Sequence, residues 1–260
     1  MPPATFPDVT LLITHYNRSS SLERLLVAFA GLGMAFGAVV VADDCSRAPH
    51  QEHLAHLQQR YAFRLVTSPV NRGLGHNLNQ GQAAVATPYT LYVQEDFVPT
   101  AQFAREFGPA AQLLAEAPAL DLVRFYAYYA YPYLTPYAGK FSEMQYRPWY
   151  LNYTKIYNYS DHPHLRRSTF FDKFGRYREG IKSDRTEYLM CVSFIQNHGK
   201  GLFYTDFDQL FTQENSAAEP STVARSAWRQ SNHAALALVR TLYRQLKYNF
   251  DIHLGKRVRG

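Results

Sequence analysis

A chain of 260 residues is long enough for one large domain or two small ones, with a core that needs no covalent staples. It has two cysteines, no run near the ~18 consecutive apolar residues of a membrane span, and an N-terminus (Met1-Pro2-Pro3-Ala4-Thr5) without the regions of a signal peptide. These features argue against a disulfide scaffold, a spanning helix and a secretory leader, so a cytoplasmic chain is expected. Lys+Arg number 27 against 21 Asp+Glu, a net charge of +6. Zinc-finger spacing, an RNA-recognition signature and a long Lys/Arg block are all missing, and nucleic acid is not the expected partner.

Residues 9–14 form a short, nearly continuous apolar run of the buried-strand type. Ser20 opens a helix: Ser20 and Glu23 have capping-box spacing, Leu22, Leu25, Leu26 and Phe29 keep the 3.6-residue period, and Gly31 and Gly33 end it. Residues 38–42 are a second strand, stopping at Asp43. A helix over residues 51–60 puts Leu54, Leu57 and Tyr61 on one face, and residues 63–67 are a third strand. A turn from Arg72 to Gly75 leads into a helix through Leu78 and Val85, stopped by Pro88, and residues 89–93 are the fourth strand. Strands joined by helical crossovers imply a mostly parallel sheet.

After Asp96 the rhythm changes. A helix is expected over residues 101–117 and a strand over 120–126. The Tyr/Pro-rich stretch 128–161 is expected to be irregular with one or two short strands. A helix over 183–197 carries Tyr188, Cys191, Val192 and Ile195 on one face, 202–204 return as a strand, and 213–221 are polar loop. Pro220 and Ser221 introduce a long helix through Trp228, Leu238, Leu242 and Leu246. The expected architecture is an α/β domain over residues 1–215, its mostly parallel, mixed sheet flanked by helices, with a C-terminal helical appendage over 216–260.

Four short stretches stand at or near strand exits: Thr14-His15-Tyr16-Asn17-Arg18, Asp43-Asp44-Cys45-Ser46, Asn71-Arg72-Gly73-Leu74-Gly75-His76-Asn77 and Gln94-Glu95-Asp96. Open α/β sheets bind ligands there. Glu95 and Asp96 offer hard oxygens suited to Mg2+ or Mn2+ clamping two phosphates; the competing account is an acidic pair favoured by a following helix N-terminus. Asp43 and Asp44 could accept from a ribose hydroxyl or a base N–H, or belong to a solvated, capped turn. Tyr16 and Asn17 could stack on and bond a base, or form a turn without a ligand. The stretch from Arg72 to Asn77 offers backbone N–H groups as an anion cradle, although it is neither a P-loop nor a dinucleotide fingerprint.

The composition is rich in aromatics, with 20 Tyr and 17 Phe, and tyrosine is dense from Tyr126 to Tyr159. Such a surface suits the apolar faces and polar edges of sugars, and equally a protein interface or an aromatic core. His50, His53 and His56 lack metal-ligand spacing and read as ordinary residues, whereas His162 and His164 are candidates to line an acceptor pocket. Arg240, Arg244, Lys247, Lys256, Arg257 and Arg259 crowd the C-terminus. They form a solvated charged face or a contact with anionic lipid or a phosphorylated ligand.

The four stretches, taken in order, resemble family 2 glycosyltransferases of the GT-A fold, with the best match over residues 8–100. The resemblance implies a nucleotide-sugar half over 1–100 and an acceptor half over 101–215. It implies that Asp44 and Tyr16 hold the base and that Arg72 lies near the diphosphate or ribose, with Thr14, Asn17, Asp43, Gly73, Asn77 and Glu95 completing the nucleotide site. Asp96 would be the main ligand of Mn2+ or Mg2+. The family's acidic pair at a helix start aligns with Thr186-Glu187-Tyr188-Leu189, making Glu187 the candidate base and Asp184 the alternative. Two departures stand out: Gln94 replaces the first carboxylate of the D-x-D-like turn, and the base region is non-standard.

The implied activity is inverting, metal-assisted hexosyl transfer from a nucleotide-sugar, UDP-sugar favoured, to a carbohydrate or glycolipid acceptor, as in polysaccharide biosynthesis. Two alternatives remain. One is a binding protein that keeps the nucleotide pocket without turnover. The other is a membrane-surface or partner-binding module, peripheral at the inner membrane face through the basic C-terminal helix.

Overall fold

The computed structural model describes residues 4–214 and 234–257. Strands β1 (Ala4–His15), β2 (Met34–Asp43), β3 (Arg64–Thr67) and β4 (Tyr89–Gln94) alternate with helices α1 (Ser19–Gly31), α2 (Ala48–Arg60) and α3 (Leu74–Ala83). The four strands are parallel, in the order β3-β2-β1-β4. Their register aligns the motif-bearing ends: His15 lies opposite Asp43, Asp43 opposite Thr67, and Thr14 opposite Gln94. Motifs separated by dozens of residues therefore leave the sheet along one edge.

Alternation along the strands explains the layers. Leu11, Ile13, Leu91 and Val93 enter one core with Leu22 and Leu25 of α1 and Leu54 and Leu57 of α2. Leu12 and Tyr92 enter a second with Leu78 of α3. All of these side chains are buried. Each buried Leu or Ile contributes about 1.5–3 kcal/mol, so the sheet is held from both faces.

Beyond β4 come β5 (Phe97–Pro99), α4 (Ala101–Glu116), β6 (Leu122–Arg124), β7 (Leu134–Ala138), β8 (Phe141–Met144), a 3-10 turn (Tyr153–Asn158), β9 (His164–Arg167), α5 (Phe170–Phe174), α6 (Ser183–Gln196), β10 (Gly201–Tyr204), β11 (Phe211–Gln213) and α7 (Ala234–His253). The central sheet runs β3-β2-β1-β4-β9-β6-β10-β8-β7, with β5 and β11 as a separate antiparallel pair. It is a mixed sheet, largely parallel through its first half and flanked by helices, and the fold is α/β as expected. Helix α7 packs on α6 and the 3-10 turn, burying Ile252.

Several expectations are corrected. Helix α1 begins at Ser19 with Arg18 as its N-cap and no side-chain cap bond; Glu23, freed from a capping box, pairs with His53 and Arg60. The strand expected over 120–126 shrinks to Leu122–Arg124. Strand β9 has no counterpart among the expected elements, because His-Leu-Arg-Arg is short and cationic. It is held by antiparallel pairing on both sides, and its buried Arg166 donates to Gln82 (2.8 Å) and lies over the rings of Phe170 and Phe171. Gln213, expected in a polar loop, ends β11 instead. Pro220, Ser221 and Trp228, the expected start of the long helix, lie outside the described residues, as does Arg259.

Candidate functional site

The carboxyl ends of the first-half strands open onto a cavity of about 520 Å³. Thr14, Tyr16, Asp44, Gly73, Asn77, Glu95 and Asp96 line it from one side, and His162, Asp184 and Glu187 from the other. The three acids from separate segments, Asp44, Asp96 and Glu187, thus border a single hollow.

The loops forming the first wall are locked by their own polar groups. The amide of Arg18 donates to His15 Nε2 (3.2 Å), which leaves Nδ1 as the protonated nitrogen; it faces Asp43 Oδ1 at 2.7 Å. The Ser46 hydroxyl and amide also donate to Asp43. Burial alone would raise the Asp43 carboxyl, but these hydrogen bonds from His15 and Ser46 outweigh it and hold the group below its ordinary value. Asn17 sits at φ 53°, with its amide donating to Ser46 Oγ (2.8 Å) and its Oδ1 accepting from the Arg47 amide (2.8 Å). Asp43 and Asn17, read from sequence as candidate nucleotide contacts, are therefore not on the cavity lining. Their side chains are consumed in tying the β1 exit to the β2 exit.

The turn before α3 corrects a second expectation. The amides of Arg72 (2.9 Å) and Gly73 (2.7 Å) donate to the two oxygens of Asp44, so two amides of the expected anion cradle are already taken by this chain's own carboxylate. The Arg72 guanidinium turns to the partly exposed Glu179 (3.0 Å) and is not part of the lining. Gly73 adopts φ 83°, a conformation that disfavours any side chain. At Gly75 a Cβ would stand 2.4 Å from the Arg178 carbonyl oxygen, so this glycine lets α3 approach the segment before α6. Asn77 Nδ2 donates to the carbonyls of His15 (3.2 Å) and Ala42 (3.0 Å), pinning the helix to the ends of β1 and β2.

At the exit of β4, Arg18 Nη1 reaches Glu95 Oε1 (3.3 Å) and Asp96 Oδ2 (3.1 Å), and Gln213 Nε2 donates to the same Asp96 oxygen (2.9 Å). Burial and the charge of Asp96 push the Glu95 carboxyl up to about 8 despite Arg18, so Glu95 is largely a neutral acid at pH 7. Among the described residues no group of three or more His, Cys, Asp or Glu gathers as a ligand set. Asp96 Oδ1, however, is buried without a hydrogen-bond partner. One such carboxylate oxygen fits Mg2+ or Mn2+, which keep waters and take further oxygens from a bound diphosphate.

The opposite wall is organised by β9. Because β9 runs antiparallel to β4, with His164 opposite Tyr92, the residues just before it arrive at the ligand edge. There Glu187 Oε1 accepts from Ser160 Oγ (3.0 Å) and from the Asp161 amide (3.1 Å). Asp161 accepts from the hydroxyls of Tyr177 (2.6 Å) and Tyr159 (3.1 Å), and burial together with the charge of Glu187 pushes its carboxyl up to about 7. His162 borders the cavity, and its burial beside Arg124 lowers the imidazole to about 3, keeping it neutral. His164 corrects the sequence expectation: it is fully buried in β9, packed on Tyr92 and Tyr159, with Nδ1 on the His162 carbonyl (2.7 Å), and it does not line the cavity.

A second cavity, of about 700 Å³, adjoins the first. Tyr128, His162, Asp184 and Glu187 line both. Sequence reasoning misses Arg18 although it lies inside a quoted motif; Asp161 and Gln213 carry no local signal and come to the site only through β9 and β11.

The same architecture recurs in solved structures. S. aureus TarS 1-349 in complex with UDP-GlcNAc superposes with a TM-score of 0.62 at 15% identity, covering 94% of this chain and 73% of that one. The mannosyltransferase PcManGT from Pyrobaculum calidifontis, in complex with GDP-Man and Mn2+, gives 0.56 at 14% identity, over 98% and 71%. GalNAc-T7 with UDP, GalNAc and Mn2+ gives 0.55 at 11% identity, over 76% and 42%. The fold is that of GT-A glycosyltransferases. The sequence matches Glycosyl transferase family 2 over residues 10–175, well over half its length, and the chain belongs to that family. No curated protein matches it in sequence.

Proposed function

We propose that the chain moves a sugar from a nucleoside-diphosphate donor, UDP-sugar favoured, to an acceptor hydroxyl with inversion at the anomeric carbon. The observation that carries this reading is the shared hollow: Asp44, Asp96 and Glu187 border one cavity, and Glu187 also borders the next. The donor occupies the smaller cavity, its base against Tyr16 and its base or ribose bonded by the acceptor lone pairs left on Asp44. Mn2+ or Mg2+, held by Asp96 Oδ1, would neutralise the departing diphosphate.

Glu187 takes the proton from the acceptor hydroxyl. Its carboxylate is aimed by Ser160 and the Asp161 amide, and its place where the cavities join is where an attacking oxygen would stand. Asp184, which also lines both cavities, is the alternative base. Such general-base assistance is worth on the order of 10²–10⁴ in rate.

Membrane contact has its own support. Val239, Leu242, Tyr243, Leu246 and Phe250 are exposed at helical spacing on one side of α7, and Arg240, Arg244 and Lys247 lie among them in sequence. This pattern suits a helix lying on an anionic lipid surface. No described helix is long and apolar enough to cross a membrane.

The experiment is release of nucleoside diphosphate from UDP-, GDP- and dTDP-sugars with and without Mn2+. Turnover of at least one donor is expected, strongest with UDP and metal. A folded protein that binds UDP but turns over none of the donors, whatever acceptor is offered, is a binding protein instead.

A further inference from the structure

The larger cavity is lined by more cationic than acidic side chains. Its two acids, Asp184 and Glu187, stand at the junction with the smaller cavity. Five cationic side chains line it as well. Four of these, Arg185 of α6 and Arg240, Arg244 and Lys247 of α7, come from the helices that close it. Tyrosine rings recur among the partners of these cations. Arg244 Nη1 donates to Tyr153 Oη (2.9 Å) and lies over that ring, and Arg185 lies over Tyr188 at 4.8 Å. Lys247 is paired with Asp251 and lies 5.2 Å from the centroid of the Tyr188 ring. Tyrosines line the same space, including Tyr128, Tyr157, Tyr188 and Tyr243.

A ligand filling this space meets flat aromatic faces, a carboxylate pair and an excess of cationic groups. The aromatic faces suit sugar C–H faces. The carboxylates suit a neutral hydroxyl. The arginines present planar forks matched to phosphate or carboxylate oxygens, and a neutral glycan would bring them no charge.

We propose that the acceptor of this transferase carries an anionic group, phosphate or carboxylate, seated against Arg185, Arg240 and Arg244, with its attacking hydroxyl directed toward Glu187. The inference rests on the transferase reading, because it names what the larger cavity takes. Helix α7 is then a specificity element, because it supplies three of the five cationic side chains.

The test uses the full chain with the smaller cavity saturated by UDP and Mn2+, so that added anions cannot enter it. Glucose 6-phosphate, glucuronate and glucose are titrated by ligand-observed NMR. Glucose 6-phosphate, glucuronate or both should bind tighter than glucose by on the order of tenfold or more, and the gain should fade with added salt. Preference between the two anions distinguishes a phosphorylated from an acidic acceptor.

Arg240→Gln/Arg244→Gln should remove the gain while UDP binding stays as in the parent, and Arg240→Lys/Arg244→Lys should keep part of it. If the double Gln variant also loses UDP binding through misfolding, Arg185→Gln on the exposed first turn of α6 decides the matter, with a several-fold loss expected. Equal binding of glucose and both anions, or an unchanged gain in well-folded Gln variants, overturns the proposal. Failure of UDP itself to bind the parent protein would instead count against the transferase reading.

Discussion

The smaller cavity is walled on one side by loops that leave neighbouring parallel strands, whereas the larger is walled by side chains from segments far apart in the chain, Tyr128 from the loop after β6, Glu187 from α6 and Arg244 from α7. In the first, sheet register alone brings His15, Asp43 and Gln94 to one edge. In the second, packing of α6 and α7 decides what meets. The strand-exit wall of the smaller cavity is pre-built and polar groups lock it, as with Asp43, Asn17 and Asn77. The wall of the larger cavity is a set of surfaces brought together, and two residues at the junction of the cavities, Asp184 and Glu187, line both.

The largest effect is expected at that junction. Glu187→Gln keeps shape and both donors to Oε1 but cannot take a proton, so transfer should fall by on the order of 10²–10⁴ in kcat with UDP affinity unchanged. An unchanged kcat would move the base to Asp184 and place the junction elsewhere.

Asp161 offers a second way to separate the regions, through pH. Its carboxyl holds its proton more tightly in the fold, to about 7, than in the unfolded chain, where release occurs near 4. The unfolded chain therefore binds fewer protons over that window, and the contribution of this group makes stability fall as pH rises from about 4 to about 7. Asp161→Asn should flatten this fall, by on the order of a few kcal/mol at most, in denaturant melts at pH 5 and pH 7.5. Equal pH slopes in parent and variant would show that Asp161 is not the buried acid described here.

A smaller loss is expected from Gly75→Ala. Its Cβ would collide with the Arg178 carbonyl, a backbone atom that cannot rotate away. The contact between α3 and the segment before α6 should loosen, costing about 1–3 kcal/mol, measurable as a lower melting temperature and weaker UDP binding. Unchanged stability and binding would show that the two regions are not coupled at this contact.

The smallest effect on stability belongs to the outer face of α7. Leu246 and Phe250 are 72% and 58% exposed. Leu246→Ser/Phe250→Ser should therefore alter folding stability by about 0.5 kcal/mol or less, while co-sedimentation with anionic liposomes drops. Retained co-sedimentation would remove the membrane role and leave α7 as a cavity wall alone.

Much of the first region is legible in the amino-acid sequence. Apolar β-rich runs, each followed by a short polar motif, put Thr14, Tyr16, Asp44 and Asp96 at strand exits, and these do line one cavity. Less legible is which of two adjacent polar residues faces out. Asp43 and Asn17 look as available as Asp44 and Tyr16, yet hydrogen bonds across two loops turn them inward. Arg72 looks like a phosphate contact, but Glu179, more than a hundred positions later, holds it.

Local pattern determined the alternation of strand and helix, the parallel first half and the positions of the motifs, because periodicity and strand termination depend on near neighbours. Tertiary structure alone decided that a cationic four-residue strand, β9, would enter the sheet between β4 and β6, carrying Asp161 and His162 to the site while burying His164. It alone brought Gln213 to Asp96 and put the arginines of α7 in the lining of one cavity with Glu187. These contacts are made by residues distant in sequence, and no short-range preference encodes them; they follow from the burial and pairing that the whole chain satisfies together.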